Sequence, residues 1–78
     1  MTREAFLREL EGQMEIPPGS LSESRALADV AEWDSLAAVL FIALADEKAG
    51  VTVSGKQIAS TKTFDELLSL LGDRLSAS

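Results

Sequence analysis

Neither cysteine nor histidine occurs in the 78 residues. Without cysteine there are no disulfides and no thiolate metal sites. Without histidine the usual general base, the imidazole metal ligand and the near-neutral proton switch are all missing. A serine hydrolase is excluded on its usual terms, because no histidine can activate a serine and no G-x-S-x-G elbow is present. Positive charge is scarce, with 7 Lys and Arg against 13 Asp and Glu, a net charge of -6. Such a surface repels phosphate backbones and anionic lipid, so neither nucleic acid nor a membrane surface is the expected partner. A partner with a basic docking patch is. Long apolar runs are also missing. The longest, Leu36 to Ala45, has ten residues, where a bilayer span needs roughly 20. The opening Met1-Thr2-Arg3-Glu4 carries charge early and no apolar stretch follows, unlike a signal peptide. A soluble, cytoplasmic, monomeric protein is expected.

What is present is a globular composition, 46% hydrophobic and 26% charged. The length predicts one domain, 1–78, with a modest core and a thin stability margin. Phe6, Leu7, Leu10 and Met14 recur at helical spacing and predict a helix over 3–15, with Arg3, Glu4, Arg8, Glu9 and Glu11 on its polar face. Pro17-Pro18-Gly19 ends it. The segment 17–33 reads as a long loop pinned to the core at Leu21, Leu27, Val30 and Trp33, with one helical turn near Arg25 to Asp29. A second helix is predicted over 35–49, capped by Asp34 or Ser35 and closed by Gly50. Ser54 with Gln57, and Thr63 with Glu66, are capping boxes that open helices over 55–59 and 64–75. Phe64, Leu67, Leu68, Leu71 and Leu75 form the apolar stripe of the last one, and Ser76-Ala77-Ser78 reads as a frayed tail. The predicted fold is all-α, a small bundle of three main helices and one short one.

The stretch that carries chemistry is Glu32-Trp33-Asp34-Ser35-Leu36. A serine at the mouth of a helix lies beside unpaired backbone donors and at the positive end of the helix dipole. A phosphate ester formed on Ser35 is stabilised there. Asp34 can help to hold Mg2+ in the active site of a modifying enzyme, since carboxylate and substrate phosphates together make a common Mg2+ site.

Asp34-Ser35-Leu36 resembles the signature of acyl and peptidyl carrier proteins, and the likeness extends over nearly the whole chain. Trp33 before the motif, Ala37-Ala38 after it, Asp46-Glu47, Gly50 and Val51-x-Val53 are similar to many freestanding bacterial members. So are the short third helix and the Lys62-Thr63 entry into the last one. The resemblance implies that Ser35 accepts 4'-phosphopantetheine from coenzyme A through a phosphopantetheinyl transferase. It implies a carrier and not an enzyme: a loading ligase charges the arm with an acyl or aminoacyl group, and synthase or transferase enzymes use it. Phe41, Ala45, Val53 and Ile58 are the implied lining of an acyl pocket, although each taken singly reads as ordinary core.

Two departures from the family pattern stand out. Leu40 occupies the position five after the serine, where the family commonly has an acidic docking residue. With Leu36, Val39, Ala43 and Glu47 it marks either an apolar docking face or a helix more buried than usual. A docking face of this kind implies partner binding less sensitive to salt than in strongly acidic carriers. Ala45 and Ala49 replace larger residues, and either Phe41 fills the space or room is left for an acyl group. Together these favour a specialised lipid, polyketide or peptide pathway. The alternative reading is an unmodified helical interaction module using Leu36, Leu40 and Ala43. Gly50 to Lys56 fits the spacing of a phosphate-binding loop, but Gln57 stands where that loop needs Ser or Thr, so the match is a coincidence.

Overall fold

In the computed structural model, residues 1–76 are described. Four α-helices make up the frame: α1 Arg3–Met14, α2 Ser35–Leu44, α3 Gly55–Ala59 and α4 Phe64–Ser69. Short 3-10 turns lie at Leu27–Asp29 and Gly72–Arg74, and no strand occurs among the described residues. The fold is all-α. Among the described residues, no helix is long and apolar enough to cross a membrane.

Helix α1 starts where the Thr2 hydroxyl accepts the Ala5 amide at 3.0 Å. It stops at Met14, one residue before the predicted end, because Glu15 turns left-handed at φ 59°. The amides of Glu15 and Ile16 then bond back to the Gly12 and Glu11 carbonyls, a Schellman closure. Proline at 17 already disfavours helical geometry at Ile16, so the chain must leave the helix here.

Glu11 does not lie on the solvent face. Its side chain is 1% exposed. One oxygen, Oε2, accepts the amides of Gly19 at 3.0 Å and Leu21 at 2.8 Å. The other, Oε1, sits 2.9 Å from Arg8 Nε, an ion pair too poorly aligned to be a hydrogen bond. Arg8 also donates from Nη2 to the Leu21 carbonyl at 2.7 Å. A carboxylate is tolerated inside because backbone donors and a guanidinium replace its water. The start of the long loop is thereby fixed to α1.

Leu21, Leu27 and Val30 are buried and Trp33 half-buried, so the loop is pinned at the four expected points. The Leu27 amide donates to the Lys62 carbonyl, and the Phe64 and Asp65 amides donate to Arg25 and Glu23. Arg3 reaches across to Glu23 and Asp65, both at 2.6 Å. Loop, α1 and α4 are thus stitched together. At the centre, Phe41 meets Phe6 edge-on at 5.6 Å between ring centroids, and Trp33 packs edge-on against Phe41 at 6.5 Å and Phe64 at 5.4 Å.

Helix α2 continues as one wide π turn, Ala45–Ala49, and ends at Gly50 with φ 67°. A side chain is strained at that angle, as expected for a closing glycine. Both predicted capping boxes form, at Ser54 with Gln57 and at Thr63 with Glu66. The last helix is shorter than the predicted 64–75. It ends at Ser69, and Gly72, the first residue of the 3-10 turn, takes φ 58°. The bend costs no burial, since Leu71 and Leu75 stay 2% and 5% exposed. It also brings the chain end back to the beginning: Arg3 N donates to Ser76 O and Ser76 N to Met1 O, both at 3.0 Å. Ser76 is therefore anchored, whereas Ala77 and Ser78 lie outside the described residues.

Candidate functional site

Asp34 caps α2, and Ser35 does not. The Asp34 carboxylate accepts the Ala37 amide through Oδ1 at 2.9 Å, and its backbone is extended at φ -130°. Ser35 is the first residue of the helix and is exposed. Among the described residues its hydroxyl makes no hydrogen bond, and the amides of Ser35 and Leu36 are unpaired as well. An aspartate cap thus leaves the serine oxygen free at the electropositive end of a ten-residue helix. The anchor for this geometry is the adjacent Trp33, wedged between Phe41 and Phe64.

The face running away from Ser35 is open. Leu36 is 67% exposed and Val39 59%. Ala43 and Glu47 are exposed and Leu40 is half-buried. Only Leu40 fits the expectation of a more buried helix, and Leu36, Val39 and Ala43 present apolar surface to solvent. Glu32, Asp34, Asp46 and Glu47 are exposed acids on or beside it.

The residues expected to line an acyl pocket are core. Phe41 and Ala45 are 0% exposed, Val53 3% and Ile58 6%. The Phe41 ring is held by Phe6 and Trp33, and Ala45 and Ala49 are buried in the same core cluster. Protein interiors are packed to crystal-like density, so a long chain could enter only by displacing these groups. Three surface grooves, of about 320, 440 and 250 Å³, are lined by other residues. The last of them opens beside Ser35. Met14, Leu36, Ala37 and Leu40 supply its apolar wall, between the end of α1 and the start of α2.

Sequence reasoning placed Asp34, Ser35 and Leu36 together and missed the contribution of α1. Gln13, Met14 and Glu15 face the site from that helix's end. Glu11 was also missed, although Leu7, Glu11 and Met14 share one helical line and so announce that position as inward. Gly50 to Lys56 lies on a connector and the first turn of five-residue α3, with no strand before it among the described residues. Compared with known proteins, the chain matches no family model, no curated protein and no solved structure.

Proposed function

We propose that this protein is a carrier whose Ser35 bears 4'-phosphopantetheine. The observation that carries the reading is the division of labour at the start of α2: Asp34 caps the helix, and the exposed Ser35 hydroxyl is left without an internal partner. A serine engaged in capping would have to give up a structural bond to be modified. This one would not. The free amides of Ser35 and Leu36 and the helix dipole suit the phosphate diester. When bound, the group supplies a flexible thiol on which an acyl or aminoacyl group is held as a thioester. The chain's own work is positional. Trp33 and the pinned loop hold Ser35 outward, Asp34 keeps the first turn closed, and Leu36, Val39 and Ala43 offer an apolar surface to a phosphopantetheinyl transferase, a loading ligase and downstream synthase or transferase enzymes. Phe41, Ala45, Val53 and Ile58 serve the fold first, and a specialised pathway with small cargo suits their close packing.

The test is attachment and its location. Incubation with coenzyme A, Mg2+ and a transferase, followed by trypsin, gives the fragment from Ala26 to Lys48. Ser35 is the only hydroxyl residue in that fragment. The gain of one phosphopantetheine there assigns the site, and a gain on any other fragment refutes it.

A second reading draws on the same exposed face. At 67% and 59% exposure, Leu36 and Val39 would also serve an unmodified interaction module. A folded protein that refuses the arm but captures a partner through Leu36 and Val39 would establish that reading instead.

A further inference from the structure

We infer that the groove between the end of α1 and the start of α2 is the seat of the Ser35-tethered acyl group, and that it selects a short group carrying an amine. This inference rests on the carrier reading and goes further, to the class of cargo. The location follows from connectivity, since Asp34 and Leu36, the neighbours of Ser35, both line the groove. A flexible arm anchored between two wall residues can fold back into the space they enclose. On the interior side of α2, Phe41 and Ala45 are both 0% exposed, so an acyl group could enter there only by displacing packed core.

Size limits the occupant. At about 250 Å³ the groove falls below the roughly 300–1,000 Å³ of sites that enclose drug-sized ligands, so it covers a short group, and a longer chain would run out of it along the surface. Charge then selects among short groups. Met14, Ala37 and Leu40 offer an apolar floor, and Glu15, Glu32 and Asp34 stand at the edge with no Lys or Arg in the lining. The C-terminal end of α1 adds partial negative charge at Glu15. A carboxylate-bearing acyl group meets the carboxylates of Glu15, Glu32 and Asp34, while the electropositive start of α2, the anion-binding feature beside the groove, is taken by the arm's own phosphate. An aminoacyl group places its apolar body on the floor and its ammonium among the carboxylates.

The test compares three hydrolysis-resistant loads on Ser35, transferred from coenzyme A analogues and verified by intact mass: an alanyl group, a butyryl group and a malonyl group. Amide and methyl NMR shifts of each are referenced to the protein bearing the bare arm. The alanyl load is expected to move Met14, Leu36 and Leu40 most, at least twice as far as the malonyl load, and to leave Val53 and Ile58 in place. In Glu15→Gln/Glu32→Gln, which alters exposed residues only, the alanyl and malonyl patterns should converge. Equal patterns for the three loads in the native sequence, or shifts centred on Val53 and Ile58, would overturn the inference while leaving the carrier reading intact. A failure of the mass gain itself would instead refute the carrier reading.

Discussion

Replacing Glu11 by alanine should be among the costliest single changes to this domain, although a glutamate at that point of an amphipathic helix invites the opposite guess. The carboxylate accepts two backbone amides, from Gly19 and Leu21, and pairs with Arg8. The Leu21 amide lies in a buried bond, and a buried donor left without an acceptor costs about 1–3 kcal/mol. Gly19 is exposed and can turn to water, and the Arg8 side chain is already 37% exposed, so each adds less. With the loss of packed methylenes the total is about 2–4 kcal/mol, a large share of the roughly 5–15 kcal/mol that holds a domain together. Glu11→Gln keeps an acceptor oxygen and loses the charge, so about 1–2 kcal/mol is expected. Urea unfolding followed by the fluorescence of Trp33, the sole tryptophan, reads both values. With a slope near 1 kcal/mol per molar urea for so small a protein, Glu11→Ala should lower the midpoint by roughly 2–4 M. Hydrogen exchange at the Leu21 amide should accelerate more than the global loss accounts for, because the loop is released first. A loss under about 0.5 kcal/mol with Leu21 protection unchanged would refute the reasoning.

Asp34→Ala removes the cap of α2 and should cost about 1 kcal/mol in urea unfolding. Ser35→Ala, which removes no bond among the described residues, should stay within about 0.5 kcal/mol of the native protein; equal losses would mean the capping assignment is wrong. Glu15→Gly relieves a side chain held at φ 59° and should raise stability by about 0.5–1 kcal/mol, seen as a higher urea midpoint. The double variant Leu36→Ser/Val39→Ser changes exposed residues, so its melting temperature should hold while a partner's affinity falls at least tenfold. That affinity should depend weakly on salt in the native sequence, and a steep decline with added salt would argue for docking through the acidic residues.

Much of this fold is written in local signals. The capping boxes at Ser54 and Thr63, the closing Gly50 and the four anchors of the loop all lie where short-range patterns put them. The misses have different causes. Glu11 reads as surface by residue type although it shares a helical line with Leu7 and Met14, and the returning amides of Gly19 and Leu21 satisfy its carboxylate inside. The apolar spacing of the last helix persists through Leu75, yet Gly72 breaks the helix and the stripe stays buried by a different path. At the candidate site, the motif placed Ser35, but spacing could not tell which of two good caps would do the capping. Tertiary packing brings Met14 and Glu15 to the site, and nothing around residue 35 announces them.

The central claim is tested most directly by the intact mass of the protein after incubation with coenzyme A, Mg2+ and a broad-specificity phosphopantetheinyl transferase, beside Ser35→Ala. One added phosphopantetheine in the native sequence and none in the variant is the predicted result. A folded native protein that stays unmodified with several transferases, or a variant that gains the same mass, would contradict it.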